Sequence, residues 1–144
     1  MNPYASARQA YTESSVLTAS PEQLVVMLYD GAIRFLRQSA EGMRAGNREH
    51  SRNRMSRAEQ VIDELNYSLD MSYGEVPQNL RGIYLFAKRQ LVRANLDGDA
   101  DRIDGVARML GDLRESWATI AQRVEDARDA DAAHAAAERN RLVA

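Results

Sequence analysis

The chain has 144 residues, a formal charge of −2, 44% hydrophobic residues and no cysteine. That length suits one domain built on a single hydrophobic core. The charge balance offers no global attraction to nucleic acid or anionic lipid, and the missing thiols exclude disulfides and thiolate chemistry, in keeping with a reducing cytoplasm.

Residues 1–17 carry Tyr4, Tyr11, Val16 and Leu17 among small and polar side chains. These are too few for a core helix but enough for a strap or short helix laid on a larger body. The opening MNPYASARQAY has no apolar stretch of the secretory-signal type. The longest apolar run, LVVMLY, is too short to span a bilayer, so a soluble cytoplasmic protein without membrane insertion is expected.

The next stretch, TASPEQLVVMLYDGAIRFL, opens a helix by its own chemistry. Ser20 can cap, Pro21 suits the first turn, and Gln23 stands where a capping box needs it. Its apolar positions sweep roughly 220°, about twice the arc that a surface helix buries. Either neighbouring helices wrap it, or part of its surface serves a partner.

A second helix is expected after Gly46-Asn47, with Asn47 as cap and Met55, Ala58, Ile62, Leu65 and Leu69 as one apolar stripe. The third runs from about Pro77 to Leu96, burying Leu80, Tyr84, Ala87, Leu91 and Ala94. Gly98 ends it and Asp99 can cap the fourth, whose Ile103, Val106, Leu110, Leu113, Trp117, Ile120 and Val124 form a long seam with Trp117 in the core. After Asp126 the alanine-rich sequence loses its stripe. The expected fold is all-α: an antiparallel four-helix bundle over 18–127, an N-terminal strap over 1–17, and a flexible or helical tail over 128–144.

Catalytic patterns are missing. A di-metal carboxylate bundle needs Glu-x-x-His pairs on two helices, and none occurs. His50 sits beside arginines at a helix start and His134 in the alanine-rich tail, both better read as solvated. There is no Walker loop, no G-x-S-x-G elbow and no cysteine nucleophile. The arginines of RNRMSR scatter around a helix axis without aromatic interleaving, which reads as a solvated face rather than a nucleic-acid site. No enzyme, metal or cofactor is expected.

The apolar surplus is more informative. Tyr67 points about opposite the stripe of its helix, with Met71 one turn on. Leu85, Val92 and Leu96 form a second line on the third helix, and Val26, Tyr29 and Ile33 lie at the outer margin of the first. Together they suggest a groove for an apolar peptide or a partner helix. The alternative is a structural homo-oligomer, in which these stripes bury one another.

In the same order along the chain, NPY at Asn2, YTESSV at Tyr11, TASPEQLVVMLYDGAIRFL, AEQVIDELNYSLD, NLRGIYLFAKRQLVRANLDGD and LRESW at Leu113 resemble the FliS family of flagellar export chaperones. The resemblance covers the chain through about Ile120. It implies a four-helix bundle that binds the disordered C-terminal segment of flagellin in the cytoplasm, prevents premature polymerisation and helps bring flagellin to the gate of the flagellar type III export apparatus. On that reading the flagellin-binding residues are Val26, Tyr29, Ile33, Tyr67, Met71, Leu85, Val92 and Leu96. The strap of Tyr4, Tyr11, Val16 and Leu17 shields part of the surface in the free protein, which could be a homodimer.

Overall fold

A computed structural model describes residues 18–143. Four helices occupy most of them: α1 (Pro21–Arg44), α2 (Arg48–Tyr67), α3 (Glu75–Asp97) and α4 (Ala100–Val143), with a 3-10 turn at Met71–Tyr73 between α2 and α3. They form an all-α, up-down-up-down bundle, and no strand occurs among the described residues. Tyr4, Tyr11, Val16 and Leu17 lie outside the described residues.

The helix ends follow from local chemistry. The Gln23 amide donates to Ser20 Oγ (3.1 Å) and the Ser20 amide to Gln23 Oε1 (2.9 Å), closing the capping box behind Pro21. Asn47 Oδ1 accepts from the His50 amide (3.1 Å) at the start of α2. Gly98 adopts a left-handed conformation (φ +65°) that ends α3, and Asp99 Oδ1 then accepts from the Arg102 amide (3.0 Å) in the first turn of α4.

The helices are unequally packed. α1 lies in closest backbone contact with α2 and α4, whereas α3 approaches those same two helices at fewer places. Small residues explain the closeness: Gly31, Ala32, Ser39, Ala40 and Gly42 are all buried along α1. A Cβ on Gly42 would come within 2.9 Å of the His50 ring and 3.2 Å of the Ser51 amide, so a side chain here would have to displace both. Beside it, Ser39 Oγ donates to the Ser51 carbonyl at 2.8 Å. The buried face of α3 instead alternates Tyr84 and Leu91 with Ala87 and Ala94, which holds its axis further out. Tyr29, Leu36, Ile62, Leu65, Tyr84, Leu91, Ile103 and Leu110 are the largest buried apolar side chains.

Ion pairs tie α1 to α4 rung by rung. Asp30 receives Arg114 (2.9 Å), and Asp104 receives Arg37 (2.8 Å) and Arg44 (2.7 Å). The polar edge of α1 is therefore its seam with α4. Gln23 and Glu125, 3.5 Å apart, form the last rung. Beyond it α4 runs on alone. The helix from Asp126 to Val143 projects about 27 Å past the bundle, with nearly every side chain exposed.

Candidate client-binding cleft and outer face

At the end of the bundle where α1 begins, α2 ends and α3 begins, the helices part around a cleft of about 560 Å³. Pro21, Leu24, Val25 and Leu28 line it from α1, Glu64 and Leu65 from α2 with Ser68 just past its end, Val76, Pro77, Leu80 and Tyr84 from α3, and Trp117 from α4. Tyr73, Leu69 and Asp70 close one side from the connection between α2 and α3. That connection is built to turn. Asp70 Oδ1 accepts from the Ser72 amide (3.0 Å) and hydroxyl (2.6 Å), bonds that hold its carboxyl below the ordinary carboxylate range. Gly74 follows at φ +88°, a conformation strained for other residues, and redirects the chain into α3.

The inner wall is aromatic. The rings of Tyr29 and Tyr84 stand 6.4 Å apart at 47°, and their hydroxyls share a hydrogen bond across the bundle from α1 to α3. Burial pushes both phenols above their usual range; for Tyr29 this is opposed by hydrogen bonds with Tyr84 and the Trp117 indole. Neither tyrosine ionises near neutral pH. This side of the cleft, where Tyr84 lines the wall and Tyr29 backs it, therefore offers apolar contact and neutral groups, while Glu64 and Asp70 bring carboxylates to the opposite side.

Of the eight expected binding residues, five are exposed on the α2–α3 side: Tyr67 (90% exposed), Met71, Leu85, Val92 and Leu96 (75%). Val26 and Ile33 are half-buried. Val26 lines a shallow groove between α1 and α4, formed with Met27, Asp30, Ala118 and Ala121, and Ile33 packs against the core. Tyr29 corrects the expectation of an outer-margin residue, because it is completely buried. Two close neighbours consume the wide apolar arc of α1, and the Tyr29 hydroxyl finds its partner inside. The eight residues therefore do not converge on one site.

Trp117 also departs from its expected core position. It is half-buried on the cleft wall, and beyond it Ile120 is exposed. Along the expected seam of α4 the side chains are fully covered only through Leu110, because beyond it the helices part around the cleft that Trp117 lines. Sequence periodicity missed Tyr73 and Val76, which lie in or beside an irregular turn, and Phe86, which lies beside the Leu85 line and is also exposed.

Among the described residues no three histidine or acidic side chains converge as a metal site. His134 pairs only along its own helix, with Glu138 at 3.2 Å. No helix among them is long and apolar enough to cross a membrane.

The sequence matches the family described as flagellar protein FliS over residues 4–124. The chain belongs to the FliS family. It is 35% identical over 117 residues to the flagellar secretion chaperone FliS of Salmonella typhimurium, covering 80% of this chain and 87% of that one. It is 32% identical over 116 residues to the flagellar secretion chaperone FliS of Bacillus subtilis, covering 81% and 84%. FliS proteins are flagellar secretion chaperones and not enzymes. The family match ends at residue 124, next to the rung at Glu125, so the projecting part of α4 lies outside it.

Proposed function

We propose that this FliS protein is a cytoplasmic export chaperone that holds the disordered C-terminal segment of flagellin, keeps it from polymerising early, and helps deliver it to the flagellar type III export apparatus. The observation that carries this reading is the open apolar cleft, continuous in chemistry with exposed Tyr67, Tyr73 and Val76 at the same end of the bundle. A disordered segment binds by burying apolar residues along an extended surface, and the partner must present that surface already formed. No nucleotide or metal is needed for such capture.

In sequence, residues 1–17 stand just before Pro21 of the cleft wall. In this proposal Tyr4, Tyr11, Val16 and Leu17 cover the mouth in the free protein and yield to the client, since a short strap with few anchors detaches at low cost. Amide exchange in residues 1–17 should then rise when the client binds. Unchanged exchange would remove the strap from the mechanism.

The deciding experiment is calorimetric titration with flagellin and with flagellin lacking its C-terminal segment. Binding of the first alone is expected, and equal binding of both would overturn the reading. Val76→Asp and Tyr73→Asp change exposed cleft residues, so they should weaken binding about tenfold or more while leaving the fold intact.

A further inference from the structure

The outward face of α3 has a charge character unlike the rest of the molecule. From Val76 to Leu96 the chain has no acidic residue, although its net charge is −2. At about 100° per residue, Gln78, Arg81, Gly82, Leu85, Phe86, Arg89, Val92, Arg93 and Leu96 share one arc of about 140°. Leu85, Phe86, Val92 and Leu96 on this arc are exposed, as are the three arginines. Arg81, Arg89 and Arg93 make no ion pair or hydrogen bond with any described residue. The edges of the face are occupied by other bonds: Lys88 with Asp63 of α2 (2.6 Å) and Arg102 of α4 with Gln90 (2.6 Å). The face itself is left apolar along its middle, with unanswered positive charge beside it.

We infer that the outward face of α3 receives an amphipathic helical part of the client whose polar flank is acidic. This rests on the client reading above and adds the chemistry of recognition. Leu85, Val92 and Leu96 are spaced seven and four apart, the ridge against which a second helix packs. Arg89 and Arg93 lie one turn apart, and Arg81 lies about 12 Å from Arg89 along the axis. The partner helix therefore carries carboxylates at one-turn and two-turn intervals beside its apolar line. A second copy of the same face is disfavoured, because it would set arginines against arginines. An anionic membrane is a poorer fit, since three basic residues give weak adsorption and Glu59 and Asp63 stand on the neighbouring helix.

The test uses the full chain and the labelled C-terminal segment of flagellin from the same genome, with anisotropy read at low and high salt. Replacing Arg81, Arg89 and Arg93 together by glutamine should lower affinity about tenfold at low salt, and the difference should disappear near 1 M salt. Unchanged circular dichroism is expected, because all three side chains are exposed. A synthetic amphipathic helix with glutamate flanks should compete for this face, and its lysine-flanked counterpart should not. If the triple variant binds flagellin like the parent while Val76→Asp is impaired, the inference fails and the chaperone reading stands. If neither substitution changes binding, the client-cleft reading fails as well. Arginine-dependent binding to anionic vesicles, with no preference between the two synthetic helices, would overturn the inference in favour of a membrane surface.

Discussion

Helices α1 and α3 both carry more apolar surface than an ordinary bundle helix, and they use it in opposite ways. On α1, beyond the first turns that line the cleft, the surplus is consumed internally: Gly31, Ala32, Ser39, Ala40 and Gly42 draw α2 and α4 close, and even Tyr29 is buried, its hydroxyl bonded across to Tyr84 of α3. On α3, larger inward residues hold the axis out, two neighbours cover one side, and Leu85, Val92 and Leu96 remain in water. Hydrophobic width alone does not mark a binding helix. The closeness with which neighbours approach decides whether the width becomes core or surface.

The sharpest way to break this comparison is to truncate the same residue type on both helices. Leu36→Ala on α1 should lose ~2–5 kcal/mol in denaturant titration, because it leaves a cavity in a tightly packed region. Leu96→Ala on α3 should stay within ~0.5 kcal/mol of the parent. Comparable losses would mean that α3 is as deeply integrated as α1.

A smaller effect is expected at the Tyr29–Tyr84 hydroxyl contact that joins the two helices. Tyr84→Phe strands the Tyr29 hydroxyl in the interior and should cost ~1–3 kcal/mol. Removing both hydroxyls should cost less than the sum of the two single losses, as a double-mutant cycle would reveal. Additive losses would show that the hydroxyls are not coupled.

The smallest effect concerns the ion pairs on the α4 side of α1. Burial acts to raise the Asp104 carboxyl, but bonds from Arg44 and Arg37 prevail and hold it below its usual range. A lowered folded-state value stabilises the protein above the unfolded carboxylate value of about 3.9. That contribution fades as pH falls through the lower folded value. Asp104→Asn should therefore cost under ~1 kcal/mol at neutral pH. The difference from the parent should shrink in acid, and melting scans between neutral pH and pH 3 would show whether the gap closes.

Much of the fold was legible because its signals are local. Ser20, Pro21 and Gln23 start α1, Asn47 starts α2, and Gly98 with Asp99 separates α3 from α4, each through a bond to residues a few positions away. The inner stripes followed from helical period. The site was less legible because it depends on where helices stop relative to one another. Val76 and Tyr73 became cleft residues through the turn that Gly74 permits, and turns have no period to read. Tyr29 was misplaced for a related reason: its angle around α1 was correct, but an angle does not say how many neighbours stand there.

Trp117 is the only tryptophan in the chain, and it stands half in water on the cleft wall beside the Tyr29–Tyr84 pair. Its emission therefore has no background from other indoles, and light absorbed by the tyrosine pair can pass to it over a short distance. An occupant that expels water from this wall shifts the emission toward the blue, while changes confined to the projecting end of α4 leave it untouched. The site carries its own optical reporter, so occupancy of the cleft can be followed in the unlabelled protein at its natural composition.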